Sequence, residues 1–159
     1  MQLNFFYDVE DRYSGKTEGT FPKVKRNLLE AAQNYLGGGA LAMLEGRISR
    51  KDRLLAELDA LGIWFGEEQC FLDCDWLGRL SAVSSGAEHE VFFDPDTQLA
   101  IKVTRPGAFG HSVVGPGLSA LPSEYLTRWA LHNQLFGESV QFLGALKNEA
   151  GFQLVISQV

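Results

Sequence analysis

The chain is 159 residues long, room for one domain or two small ones. Its 45% hydrophobic and 21% charged residues are the balance of a globular protein, and eleven Phe, four Tyr and three Trp can fill a core. A net charge of −6 repels phosphate backbones and disfavours wholesale nucleic-acid binding, and no apolar run approaches the ~20 residues of a membrane helix.

The first residues, Met1-Gln2-Leu3-Asn4-Phe5-Phe6-Tyr7-Asp8, lack the basic and apolar regions of a signal peptide, so the expected location is the cytoplasm. Cys70 and Cys74 suit that compartment as reduced thiols. On an extended segment they stand roughly 13 Å apart, too far to bridge, and the scattered histidines do not complete a metal site.

Residues 1–22 are irregular. Tyr13 to Thr20 is a turn-rich loop, and Leu3, Phe5, Phe6, Tyr7 and Val9 form a short strand or a packed arm. After Phe21-Pro22, the positions Val24, Leu28, Leu29, Ala32, Tyr35 and Leu36 fall at helical spacing and predict a helix over Lys23 to Leu36. Gly37-Gly38-Gly39 ends it. A short helix over Ala40 to Leu44, closed by Gly46, comes next. Ser49 suits the N-cap of a third, with Leu54, Leu55, Leu58 and Leu61 in one stripe and Gly62 as its stop. The glycine triplet follows a helix and lacks the Gly-Lys-Ser/Thr of a phosphate loop, so it reads as a helix–helix turn. Lys23, Lys25, Arg26, Arg47, Arg50, Lys51 and Arg53 read as solvated helix faces.

Near residue 65 the pattern changes, dividing the chain into a helical N-terminal segment of unknown role, 1–65, and a strand-rich domain, 66–159. Ile63-Trp64-Phe65 and Phe71-Leu72 are short apolar runs. Leu80-Ser81-Ala82-Val83 alternates as a half-buried strand does. A turn over Ser84 to Glu90 leads to Val91-Phe92-Phe93, and Asp94-Pro95-Asp96-Thr97 turns the chain into Leu99-Ala100-Ile101-Lys102-Val103. These segments predict a three-strand antiparallel meander. A loop over Arg105 to Gly117 follows, then a helix over Pro122 to Phe136, with Leu121, Tyr125, Trp129, Leu131 and Leu135 as its apolar positions and Gly137 closing it. Val140 to Leu143 and Phe152 to Ile156 form a hairpin. The predicted fold class is α+β: a five-stranded antiparallel sheet with one long helix, preceded by a mainly helical segment.

Ala100-Ile101-Lys102-Val103 sets one lysine in an apolar strand, between a glycine turn and a helix bearing Glu124. That order resembles the small lobe of a protein kinase. Gly86-Ala87-Glu88-His89-Glu90-Val91, Ile101-Lys102-Val103-Thr104-Arg105-Pro106-Gly107-Ala108-Phe109-Gly110-His111, Pro122-Ser123-Glu124-Tyr125-Leu126 and Leu131-His132-Asn133-Gln134-Leu135-Phe136-Gly137 resemble more narrowly the kinase-like domain of polyvalent proteins from phages and conjugative elements. The resemblance spans about residues 76–159.

It implies that Lys102 points its ammonium at the α- and β-phosphates of ATP and that Glu124 pairs with it. Arg128, one helical turn beyond Glu124, competes for that carboxylate. Against this stands the plain reading of Lys102 as an edge-strand lysine that blocks aggregation. The backbone amides of Gly86 and Ala87 meet a phosphate, with Glu88 and Glu90 opposing, and Val91 caps the adenine. His89 is a partly exposed turn residue, or a phosphate contact when protonated. Val155-Ile156-Ser157-Gln158 stands where kinases have their hinge.

The sequence holds no H-R-D-x-x-x-x-N and no D-F-G, so it carries no catalytic residues and no protein ligands for Mg²⁺ in the usual arrangement. The expectation is the N-terminal part of a kinase-like protein, truncated at Val159. ATP and Mg²⁺ belong to the complete protein, and neither binds tightly here. The partner is then the missing large lobe, another protein, or a second copy seated on the uncovered apolar face. The alternative is a stand-alone protein-binding or regulatory module. A third reading is a structural domain with Lys102 and Glu124 as a plain surface pair.

Overall fold

Leu99, Ile101 and Val103 alternate with Ala100, Lys102 and Thr104, and this period of two gives the sheet two different faces. The computed structural model, which describes residues 28–44, 46–149 and 151–159, has five antiparallel strands in the order β1-β2-β3-β5-β4. They are β1 (Ser81–Ser85), β2 (His89–Asp94), β3 (Leu99–Thr104), β4 (Val140–Asn148) and β5 (Gly151–Gln158). The helices are α1 (Leu28–Gly37), α2 (Gly39–Met43), α3 (Arg50–Glu67), α4 (Cys74–Gly78) and α5 (Pro122–Phe136). The predicted arm, loop and helix start over residues 1–27 lie outside the described residues.

Helices α1, α3 and α5 cover one face. There Leu36, Leu61, Phe65, Tyr125 and Leu126 pack on Phe142, Leu154 and Ile156, all buried. On the other face Trp76 of α4 closes over Ile101, Val103, Leu143, Leu146 and Val155. Each large apolar side chain so buried stabilises the fold by about 1.5–3 kcal/mol.

Ser49 caps α3, its Oγ accepting the Asp52 N–H at 3.1 Å. Gly62 is not the stop. The helix continues to Glu67 because the next turn delivers Trp64 and Phe65 to the core. Phe65 meets Phe152 edge-on, with ring centroids 5.1 Å apart. Their burial outweighs the ~1 kcal/mol that an interior glycine costs. Ile63-Trp64-Phe65 is therefore helical, and the change of pattern near residue 65 falls in the last turns of a helix that shares the sheet's core.

Strand β1 is exposed throughout rather than half-buried: among the described residues, none of its side chains joins either buried cluster. On α5, Tyr125 and Leu126 are buried, whereas Leu131 and Leu135 face outward. Helix α4 was not anticipated. Cys70 is buried and Cys74 exposed, with no disulfide between them. No helix among the described residues is long and apolar enough to cross a membrane.

Candidate functional site

Register places Lys102 directly opposite Val91 of β2 on one side and Ile156 of β5 on the other. Directly opposed residues in an antiparallel ladder rise from the same face, here the one covered by α5. Ala100, two residues earlier, shares that face and pairs with Gln158. Val91, Ala100, Lys102 and Gln158 are all half-buried, so this strip is partly open. Strand β3 is central, which overturns the reading of Lys102 as an edge-strand lysine. Its Nζ donates to Gln158 Oε1 at 2.6 Å and lies 5.3 Å from the centre of the Trp129 ring.

Glu124 does not join it. The residue before α5, Leu121, stands at the N-cap but carries no side-chain oxygen, so the first turn must borrow its acceptors. Glu124 folds back to accept the Leu121 N–H at 2.8 Å. It also accepts both arms of the Arg50 guanidinium, at 3.0 and 2.5 Å, and the Ser112 hydroxyl at 3.1 Å. Burial pushes this carboxyl upward, but the Arg50 guanidinium and the other donors prevail and hold it below its ordinary value. The expected Lys102–Glu124 salt bridge is therefore replaced by Lys102–Gln158 and Arg50–Glu124. The helix offers Lys102 Trp129 instead, about 7.5 Å further along its axis. Nor does Arg128 compete for Glu124, for it pairs with Glu88.

The turn between β1 and β2 is tied down from within. The Gly86 N–H donates to the His89 carbonyl at 2.8 Å, so that amide is already spent. The Arg105 guanidinium binds the Gly86 carbonyl at 3.1 and 3.0 Å and also reaches Ser85 Oγ. Gly86 and Ala87 are exposed. Glu88 turns inward to Arg128, against Gly110. Gly110 has φ 84°, a left-handed backbone that favours glycine, and a Cβ there would make the Glu88 carboxylate shift. Glu90 lies opposite Val103 and so projects from the sheet face away from Lys102. The two acids thus do not crowd the turn as the sequence suggested.

His89 is the first residue of β2 rather than a turn residue, and its Nε2 lies 2.9 Å from Tyr125 Oη. Burial, aided by the charges of Lys102 and Arg128, lowers its pKa to about 4. It is neutral at pH 7 and supplies no cation to a phosphate. Burial also raises the Tyr125 phenol, which stays protonated.

This predicts acid sensitivity. In the unfolded chain His89 binds its proton near pH 6.5 and in the folded chain only near about 4. Between those values the unfolded state holds more protons, so stability falls as pH drops. Glu124 acts in the same sense below about 4.5, because its folded value is also lowered. Denaturation midpoints are expected to fall from pH 6.5 to 4, and His89→Gln is expected to flatten the upper part of that slope. A wild-type midpoint that ignores pH across the window would count against the buried neutral imidazole.

No known protein family, curated protein or solved structure matches this chain.

A second polar cluster lies at the start of α5, and sequence reasoning missed it. Glu57 of α3 is fully buried. It accepts the Ser123 N–H at 2.7 Å, the Ser123 hydroxyl at 2.9 Å and Arg53 Nε at 2.9 Å. It thus provides, from another helix, the acceptor that Leu121 lacks. Arg53 also reaches the Leu41 carbonyl. A cavity of about 550 Å³ opens here, lined by Gln33, Arg50, Arg53, Glu57, Glu124 and Thr127 among others. Arg50 and Arg53 are therefore not simply solvated faces. The available signal was Glu57 itself, three residues after Leu54 and four before Leu61, on the stripe that α3 buries. These charges neutralise one another in pairs, so the cluster reads as a structural clamp. Among the described residues no group of His, Cys, Asp and Glu is arranged to hold a metal ion.

Proposed function

We propose that this chain is part of a kinase-like cytoplasmic protein: its sheet grips the phosphates of a nucleotide, and the machinery for phosphoryl transfer is not in this chain. One observation carries the reading: Lys102 stands at the centre of the sheet, opposite Val91 and beside Ala100, on the partly open face under α5. Lys102 then meets phosphate oxygens, Val91 and Ala100 flank an adenine, and the turn at Gly86 and Ala87 lies at the phosphate end. The partner of Lys102 is a neutral amide, so its charge remains available. Mg²⁺ ligands and a catalytic aspartate would come from a large lobe or another protein. Affinity for ATP is expected to be weak, with a Kd on the order of 1 mM, about −4 kcal/mol.

Titration of ¹⁵N-labelled chain with Mg·ATP tests this. Amide shifts are expected at Ala87, Val91, Lys102 and Gln158, saturating only at high concentration and abolished by Lys102→Met. Shifts confined to the cavity at Arg50 and Glu57 would sink the proposal. So would phosphotransfer by the purified chain.

A second reading, a protein-binding module, is favoured by Leu131, Leu135 and Phe136. They are 51, 75 and 73% exposed at the end of α5 and form an apolar patch. A large lobe, a separate protein or a second copy of the chain would suit it.

A further inference from the structure

We propose that Arg128 is the second cation of the Lys102 site, and that Glu88 holds its place until a chain of phosphates displaces it. This rests on the phosphate reading of Lys102 given above. Lys102 Nζ and Arg128 Cζ lie over one indole ring, that of Trp129, at 5.3 and 5.6 Å from its centre. Arg128 also lies 5.4 Å from the centre of the Tyr125 ring. Both charges act on the His89 ring between β2 and α5. Trp129 thus contacts both cations, and a ring holds a cation without neutralising it.

Their counter-charges are unequal. Among the described residues the hydrogen-bond partner of Lys102 is the amide of Gln158, and the carboxylate of Glu124 is held by Arg50. Arg128 has Glu88, in a pair whose side chains are 36 and 27% exposed. A half-exposed pair of this kind is weakly held and open to exchange. A guanidinium fork fits phosphate as well as carboxylate, and a di- or triphosphate brings more charge than one glutamate and an oxygen for each cation. Glu90, on the opposite sheet face, does not oppose it.

The ligand chemistry is an oligophosphate, free or as part of a nucleotide. Calorimetry on the whole chain would use inorganic tripolyphosphate, pyrophosphate and ADP as probes. Lys102→Met and Arg128→Gln are each expected to weaken tripolyphosphate binding by about tenfold or more. Glu88→Gln is expected to strengthen it by about fivefold, because it removes the competing anion. Arg128→Gln should also make binding less sensitive to salt, an effect that a purely structural role would not produce. ADP binding tighter than pyrophosphate would mark a nucleotide as the source, equal binding would mark the phosphate chain alone, and either supports the clamp. Circular dichroism would verify that each variant is folded, and Glu88→Gln tests the idea even if Arg128→Gln is not. Loss of binding in Lys102→Met with Arg128→Gln and Glu88→Gln both unchanged would overturn the clamp and leave the Lys102 reading standing. No binding by wild type and by Glu88→Gln would overturn both.

Discussion

Glu57→Ala is expected to cost about 3–5 kcal/mol of folding stability, the range seen when one partner of a buried ion pair is removed. For a chain of this size that corresponds to a fall in Tm of about 6–20 °C. The carboxylate is fully buried, and each of its oxygens is used. Alanine would leave the Ser123 N–H without its acceptor at a helix start where Leu121 offers none. It would also strand the Arg53 guanidinium, only 19% exposed, with the Leu41 carbonyl as its remaining hydrogen-bond partner among the described residues. Glu57→Gln keeps an acceptor for Ser123 and loses the charge that Arg53 needs, so about 1–3 kcal/mol is expected. Chemical denaturation of the three proteins separates these cases. A Glu57→Ala variant within 1 kcal/mol of wild type would mean that the clamp does not hold α5. The consequence would reach the candidate site as well, since α5 carries Trp129 and Arg128 to Lys102.

Much of this fold was legible because its signals are local. Helix α5 begins at Pro122 and ends at Phe136, as its spacing, early proline and closing glycine indicate. The α+β class and the five antiparallel strands follow from alternation and turn chemistry. Failures came where a distant partner decides. Gly62 reads as a stop until the Phe152 ring beside it and the burial of Phe65 are known. Half of the alternating run at Leu80 to Val83 should be buried, yet β1 joins neither buried cluster among the described residues. The site shows the same division. That Lys102 and Val91 share a face follows from period two once the hairpin is registered. Which carboxylate each cation takes does not, because the competitors, Arg50 for Glu124 and Glu88 for Arg128, are 74 and 40 residues away in sequence. Ion-pair choice depends on where helices dock, and spacing along one helix could only suggest Arg128 for Glu124.

Gly144→Ala is expected to be among the most damaging single-methyl changes in this chain, at about 2–6 kcal/mol from overpacking and backbone strain together. Gly144 sits at a bulge in β4, between Phe142 and Ala145, with φ 135°. That backbone conformation is one that side chains rarely adopt. The added Cβ would also overlap the Cys70 carbonyl oxygen. That oxygen cannot move freely, because it accepts the Ala145 N–H at 3.0 Å, and the Leu72 N–H donates to the Ala145 carbonyl at 2.8 Å. These bonds make residues 70–72 a short parallel addition to the edge of β4, bridged at Phe71. Two relaxations are available. The 70–72 segment can peel away, losing both hydrogen bonds and the contact of Phe71 with Phe65, whose ring centres lie 5.8 Å apart. Alternatively the bulge can collapse, shifting β4 by one residue and turning Phe142 and Leu143 to the wrong faces. Either outcome costs far more than a methyl contact. Gly62→Ala supplies the control, because its Cβ would meet only the Phe152 ring at an ordinary 3.8 Å. Hydrogen exchange at the Ala145 amide distinguishes the two routes: peeling exposes it, whereas a slipped strand reprotects it at a new partner. A Gly144→Ala variant with wild-type stability and an Ala145 amide still protected would show that this bulge is softer than its packing implies.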